Sequence, residues 1–289
     1  MENRSTAKMT KAILEKHGFR LKKSLGQNFL LDDHILKKIV ALADITPDDG
    51  VIEIGPGAGA LTQYLAEAAG KVVGLEIDRR LDPVLKEVLA DCNNVEILFQ
   101  DVLETDITEL IAHHFHDALR VMVVANLPYY ATTPILMKLL SANAPIDRIV
   151  VMIQKEVAER LEAEPGNKSY GSLSVAVQYT ADVRLLTTVP ASVFIPKPNV
   201  DSAVVRLDLL KEKRVSVRDE AFFFKVVRAA FAQRRKTLLN NLLHNLVGRD
   251  RKEETIRCLE QLGIDPGRRG ETLSIEEFAR LSDGLLELL

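Results

Sequence analysis

The sequence predicts an α/β fold: a mostly parallel sheet with an antiparallel edge, followed by a small all-helical C-terminal domain. Two observations carry that expectation. From Val51 to Ile153, short apolar runs alternate with stretches of helical spacing. The runs are continuously apolar, as in strands buried on both faces, rather than alternating between apolar and polar. After Leu210 the β-rich runs stop and helical periodicity takes over.

Residues 1–20 are polar and basic and are expected to form a flexible segment. Strands are expected at Val51–Ile54, Lys71–Ile77, Val95–Phe99, Val121–Ala125 and Ile149–Ile153. Helical spacing fills the gaps at Leu61–Ala69, Leu81–Ala90, Ile107–His113 and Pro134–Ser141. Val175–Tyr179, Val183–Val189 and Val204–Leu209 are β-rich without long helices between them, which predicts the antiparallel edge. Phe222–Leu246 reads as one long helix ending near Gly248, with two more at Glu253–Leu262 and Ile275–Leu288. The chain thus divides into a segment 1–20, an α/β domain 21–210 and a helical domain 211–289.

With 289 residues, 47% of them hydrophobic, the chain can bury a full core. Its 38 basic and 41 acidic side chains leave a net charge of −3, which by itself points to no polyanion. Cys92 and Cys258 are far apart and lack metal-ligand spacing. With no disulfide framework, no apolar stretch of ~18 residues and no signal-like N-terminus, a soluble protein of the reducing cytoplasm is expected. His113-His114-Phe115-His116 resembles a metal motif but has no acid or Cys at ligand spacing, so no metal is expected.

The chemistry clusters at strand ends. Glu53-Ile54-Gly55-Pro56-Gly57-Ala58-Gly59 follows the first strand, and its glycines let backbone turn tightly against a ligand. A plain strand-to-helix connection is the competing reading, and the Gly-x-Gly-x-Gly spacing differs from the pyrophosphate fingerprint. Glu76 ends the second strand, where a carboxylate can accept both hydroxyls of a ribose. Asp101 ends the third and can accept from an adenine amino group, or else cap the turn Val102–Glu104. The fourth strand stops at Asn126-Leu127-Pro128-Tyr129: an amide, a rigid proline and an aromatic face. Four such features at the carboxyl ends of successive strands mark a ligand site. The loop has no Lys-Ser/Thr pair for a γ-phosphate, so S-adenosylmethionine, an adenosine without phosphates, fits better than ATP.

On these residues the chain resembles the class I methyltransferases, and more narrowly the rRNA adenine dimethyltransferases, over residues 20 to 285. Lys22-Lys23-Ser24-Leu25-Gly26-Gln27-Asn28-Phe29-Leu30 matches the family's entry motif. Glu53–Thr62, Glu76-Ile77-Asp78 and Asp101-Val102 match its cofactor motifs, and Asn126–Tyr129 its catalytic motif. Phe194–Ala203 matches the segment that closes the substrate pocket, and Phe231–Leu238 resembles the small-subunit branch rather than the large-subunit resistance enzymes.

The resemblance implies a Rossmann-like class I methyltransferase sheet with S-adenosylmethionine as cofactor. Cofactor contacts are implied at Gln27, Asn28, Leu30, Gly55, Gly57, Gly59, Glu76, Ile77, Asp101, Val102 and Asn126. Asn126, Leu127, Pro128 and Tyr129 would bind and activate the adenine amine, with Phe194 as a second wall. The activity implied is dimethylation of two adjacent adenosines near the 3′ end of small-subunit rRNA, on a ribosomal precursor, by a monomer. The alternatives are a large-subunit rRNA adenine methylase and a binding factor without turnover. NAD-dependent reduction fits least.

Between Lys225 and Arg249 stand six Lys/Arg and no acid, with Gln233-Arg234-Arg235-Lys236 clustered. A solvated helix face is the ordinary reading of such a run. On a net acidic chain, local positive charge favours phosphate contact, so Arg234, Arg235, Lys236, Lys22 and Lys23 are the expected RNA-binding residues. Tyr170-Gly171 is a further candidate for lining the pocket.

Overall fold

The computed structural model describes residues 6–19, 28–142 and 144–288. The chain divides into two units, residues 1–158 with 184–209 and residues 159–183 with 210–289. The first unit opens with helix α1 (Thr6–Lys16), a two-residue strand β1 (Phe29–Leu30) and α2 (Asp33–Ala43). Strands and helices then alternate: β2 (Gly50–Ile54), α3 (Ala60–Ala68), β3 (Lys71–Leu75), α4 (Asp82–Val88), β4 (Val95–Leu98), α5 (Ile107–His114), β5 (Val121–Asn126), α6 (Thr132–Ser141) and β6 (Arg148–Gln154). Helix α7 (Lys155–Glu162) crosses into the second unit, where α8 (Ser172–Gln178) lies. β7 (Ala181–Val189) crosses back, and β8 (Phe194–Ile195) and β9 (Ser202–Leu209) complete the first unit.

The main sheet runs β4-β3-β2-β5-β6-β9-β7. Its first five strands are mutually parallel, and β9 lies antiparallel to β6 with Ser202 opposite Gln154. The parallel strands are apolar throughout because both faces are covered; Val51, Ile52, Val72, Val73, Val123 and Val150 are wholly buried. The chain winds outward on either side of the β2–β5 pair, so a crevice opens at the carboxyl ends of those two strands.

One ion pair secures the opposite end of this sheet. The Asp49 carboxylate is buried and accepts from Arg120 Nε at 2.9 Å, Arg120 Nη2 at 2.7 Å and the Thr46 N–H at 2.7 Å. Burial pushes its pKa up, but the hydrogen bonds from Arg120 and Thr46 outweigh burial and hold it below the ordinary range. A lowered carboxyl pKa contributes stability that is present above the unfolded value near 3.9 and is lost as pH falls through the folded one. Asp49→Asn should cost about 2–3 kcal/mol at pH 7, since it leaves the Arg120 guanidinium short of its anion. The deficit should shrink in acid unfolding titrations below pH 4; a pH-independent difference would contradict the assignment.

The second unit holds α9 (Glu220–Ala230), α10 (Leu238–Leu242), α11 (Lys252–Gln261) and α12 (Ile275–Leu286) besides α8. Its core is aromatic, with Phe223 and Phe278 fully buried and Tyr179 stacked on Phe223 at 5.1 Å. Helix ends follow sequence signals. Asp219 caps α9 by accepting from the Phe222 N–H at 2.9 Å, and Ser274 with Glu277 forms a reciprocal capping box on α12.

Four sequence expectations are corrected. The N-terminal segment expected to be flexible carries α1, which buries Ala7, Thr10, Ile13 and Leu14 on one stripe and packs on α4. Val175–Tyr179, expected as an edge strand, is instead the last part of α8 with Tyr179 as its C-cap; its β-branched content misleads, because Val175 and Tyr179 lie one turn apart and enter one apolar cluster. The long helix expected over Phe222–Leu246 breaks after Ala230 and restarts at Leu238. Asn241 explains the break: its Nδ2 donates to the carbonyls of Ala230 (2.9 Å) and Gln233 (3.0 Å), while Thr237 caps the new helix. Finally, the second unit does not begin near Leu210 but also takes in Glu159–Val183, so α8 shares its core.

Candidate active site

The crevice at the carboxyl ends of β2, β3 and β5 is a cavity walled entirely by the first unit. Four short segments line it: Asn28–Leu31, Gly55–Ala58, Glu76–Ile77 and Asn126–Tyr130, with Glu53 and Leu36 among the residues behind them. After Ile54 the backbone turns through left-handed conformations at Gly55 (φ 68°) and Gly57 (φ 58°). A side chain at Gly57 would be strained and would also bring its Cβ to 2.8 Å from the Phe29 ring. Gly59 sits at the start of α3.

Glu76 clamps this loop. Its Oε2 accepts from the Gly57 N–H at 2.9 Å and its Oε1 from the Asp78 N–H at 2.8 Å. Burial raises its pKa, against the lowering effect of those two amides. Glu53 lies deeper, with 1% of its surface exposed and no hydrogen-bond partner for Oε2 among the described residues. Burial, with a smaller contribution from the nearby Glu76 charge, pushes its pKa up to about 8, although Thr62 acts in the opposite direction. No Lys or Arg is among the described lining residues, so the cavity offers an anionic group no cationic side chain.

The sign of the Glu53 effect is opposite to that of Asp49. Its folded pKa lies above the ordinary value of 4.5, so folding stability falls as pH rises from about 4.5 to about 8. Ligand-free Glu53→Gln should therefore melt above the parent protein at pH 8.5, with the gap closing toward pH 4.5. Thermal unfolding across that range checks it; a gap of the same size at both ends would refute the buried-charge account.

Asn126, the last residue of β5, faces the cavity across from the loop. Its Nδ2 donates to the Asn28 carbonyl at 3.1 Å, which leaves Oδ1 as the amide's acceptor. The following turn is pinned at three points. The Leu127 N–H donates to the Met152 carbonyl at 3.1 Å, Thr132 Oγ1 donates to the Pro128 carbonyl at 3.2 Å, and the Tyr129 hydroxyl lies 2.7 Å from Ser202 Oγ. Burial raises the Tyr129 pKa, so the ring enters the site as a neutral phenol. Tyr130 lines the mouth with 60% of its surface exposed.

The structure thus brings together Asn28, Leu30, Gly55, Gly57, Glu76, Ile77 and Asn126–Tyr129 on one cavity. Gln27, Lys22 and Lys23 lie outside the described residues. Asp101 and Val102 are not in the lining: the Asp101 carboxylate caps its own turn by accepting from the Leu103 N–H at 2.9 Å, and Val102 is buried. Phe194, expected from sequence as a second wall, is not among the residues lining this cavity. Its strand pairs with β1, Phe194 opposite Leu30, and the ring is buried in a cluster with Leu36 and Met152. Tyr170 is likewise buried in the second unit's core, 5.8 Å from Phe231. His114 Nδ1 lies 3.1 Å from Glu96. Glu53, Tyr130 and Ser202 are the residues that sequence reasoning did not single out. An acid inside the run Val51-Ile52-Glu53-Ile54 is the available signal for the first.

Residues 18–285 match the family model described as ribosomal RNA adenine dimethylase. The chain belongs to that family. It is 57% identical over 286 residues to the ribosomal RNA small subunit methyltransferase A of Geobacillus sp. (strain WCH70), covering 99% of this chain and 98% of that one. To the protein of that name from Geobacillus kaustophilus (strain HTA426) it is 59% identical over 285 residues, covering 98% and 97%. Among solved structures, a dimethyladenosine transferase from Plasmodium falciparum superposes with a TM-score of 0.71 at 30% identity, over 89% of this chain and 96% of that one. The 23S rRNA methyltransferase ErmE gives 0.67 at 26% identity, over 89% and 99%. The sheet described above is therefore the Rossmann-like sheet of this dimethylase family.

Proposed function

We propose that this ribosomal RNA adenine dimethylase transfers methyl groups from S-adenosylmethionine to the exocyclic amines of two adjacent adenosines near the 3′ end of small-subunit rRNA. The enzyme acts on a ribosomal precursor, as a monomer in the cytoplasm, during ribosome biogenesis. One observation carries the reading: the Asn126–Tyr129 turn stands on the same cavity as Glu76 and the glycine loop. The names of the relatives support the small-subunit substrate. Among the described residues, no helix is long and apolar enough to cross a membrane.

The cavity fits the cofactor's chemistry. Glu76 offers carboxylate oxygens for a ribose, Ile77 and Leu30 offer apolar surface for a base, and the lack of Lys or Arg among the described lining residues disfavours a pyrophosphate. When bound, S-adenosylmethionine supplies an electrophilic methyl on a sulfonium. The protein's task is to present a better nucleophile. An adenine amine is a poor one because its lone pair is shared with the ring. Asn126 Oδ1 and the Leu127 carbonyl accept its two N–H bonds, which draws the nitrogen toward tetrahedral geometry and frees the lone pair. Tyr129 stacks on the base, worth roughly 1–3 kcal/mol. The amine's proton leaves to water after transfer, so no strong base is required; orientation and electrostatics carry the rate. The target adenine must be unpaired or flipped to reach the turn.

Labelled S-adenosylmethionine offered with unmethylated small and large ribosomal subunits tests this. Dimethyladenosine is expected in the small-subunit RNA alone, mapped by nuclease digestion and mass spectrometry. Label confined to the large subunit would overturn the substrate assignment, and no label in either would overturn the enzyme reading.

A further inference from the structure

The second unit contains a polar cavity of its own. Gln233, Lys236, Asn240, His244, Arg249 and Lys252 line it, and no acid is among its described lining residues. Three of these side chains are cations, and the two amides add N–H donors. His244 joins them as a donor. A guanidinium can only donate, so Arg249 Nη2, 3.0 Å from His244 Nδ1, makes that nitrogen the acceptor and leaves the ring proton on Nε2. Of the acids on the neighbouring turn of α11, Glu254 pairs with Arg251 at 3.8 Å.

The walls are built rather than incidental. Asn241 ties the Ala230–Gln233 turn to α10 through two hydrogen bonds, fixing where Gln233 and Lys236 stand. Beyond α10 the helix widens into a π turn at Leu243–Val247, which carries His244. Such turns are rare and concentrate at functional sites. The cavity also adjoins a neighbouring hollow lined by Gln233, Arg234, Arg235 and Lys236, with Arg235 exposed.

We propose that this cavity binds a backbone phosphate of the RNA substrate, held by Lys236, Arg249, Lys252 and the His244 Nε2–H. The proposal rests on the rRNA reading above and extends the RNA contact from the Arg234–Lys236 run to α11. It also shifts weight within that run. Arg234, named from sequence as a phosphate contact, is engaged by the Glu271 carboxylate at 3.3 Å and by the Lys168 carbonyl.

The test has two readouts on the full chain. NMR of the His244 ring, titrated separately with a single-stranded oligoribonucleotide and with inorganic phosphate, should show a saturable shift with the oligoribonucleotide that Lys252→Glu abolishes. Binding to unmethylated small ribosomal subunits should weaken about tenfold in Arg249→Gln/Lys252→Gln, with the slope of log Kd against log salt falling by about one per lost contact. Lys86→Gln, which removes one exposed positive charge on α4, should change neither readout. Circular dichroism verifies that each variant is folded. A variant pair that binds subunits with parental affinity and salt slope overturns the proposal, as does a His244 shift with inorganic phosphate but none with RNA. If the parent protein fails to methylate small subunits, the functional reading falls, and the oligoribonucleotide shift still decides the cavity.

Discussion

Asn126→Ala is expected to lower turnover by about 10²- to 10³-fold, the loss typical of removing one preorganised hydrogen-bonding group that acts on the reacting centre. Cofactor affinity should fall far less, because Asn126 contributes one wall of a cavity that Glu76, Ile77 and the glycine loop also build. The side chain has two tasks in the proposed mechanism: Nδ2 holds the Asn28 carbonyl at 3.1 Å, and Oδ1 is left to take the adenine amine. Asn126→Asp separates them. A carboxylate keeps an acceptor for the amine but cannot donate to Asn28, so it should retain more activity than alanine while loosening the β1 segment. Single-turnover methylation alongside calorimetric cofactor titration distinguishes the outcomes. Equal loss of turnover and cofactor affinity in Asn126→Ala would remove Asn126 from the chemistry and leave it a structural residue.

Glu76→Ala should act on the other term and weaken S-adenosylmethionine binding by roughly 100-fold, the scale of about 2–3 kcal/mol for hydrogen bonds to a charged group. Two effects add. The variant loses the carboxylate proposed to meet the ribose, and it strands the N–H groups of Gly57 and Asp78, which Glu76 now satisfies at 2.9 and 2.8 Å. The released loop would no longer hold its left-handed glycines in place before the ligand arrives. Glu76→Gln retains one acceptor oxygen and should fall between the two. Affinity in Glu76→Ala within threefold of the parent would show that the carboxylate serves only the loop.

The parallel strands were legible because burial on both faces forces continuous apolar runs, and the strand-end residues were legible because ligands collect where such strands stop. Asn126, Glu76 and the glycine loop all lie where that logic places them. It fails where tertiary partners decide. Val175 and Val177 read as strand but turn inward from a helix whose start Ser174 secures, its hydroxyl accepting from the Gly171 N–H at 3.0 Å. The break between α9 and α10 depends on one side chain, Asn241, reaching back eleven residues to a carbonyl, which no local periodicity records. Strand pairing of Phe194–Ile195 with Phe29–Leu30, and the burial of the Phe194 ring, are likewise long-range features that no local pattern records. Asp101 shows the limit of residue type: the same carboxylate suits an adenine or a turn, and in the structure it caps the turn.

Strand direction has a chemical consequence in this sheet. A strand running the same way as β6 would bring its last residue to the edge that carries Asn126–Tyr129. Because β9 runs the other way, its first residue, Ser202, arrives there instead, opposite Gln154, and its hydroxyl meets that of Tyr129. The one reversal next to β6 therefore braces the aromatic plate from across a neighbouring strand, so the ring's plane is set before any base stacks on it. Reversing a strand at the margin of a parallel sheet is usually read as a way to finish an edge. Here it delivers a hydroxyl to the working end of the sheet.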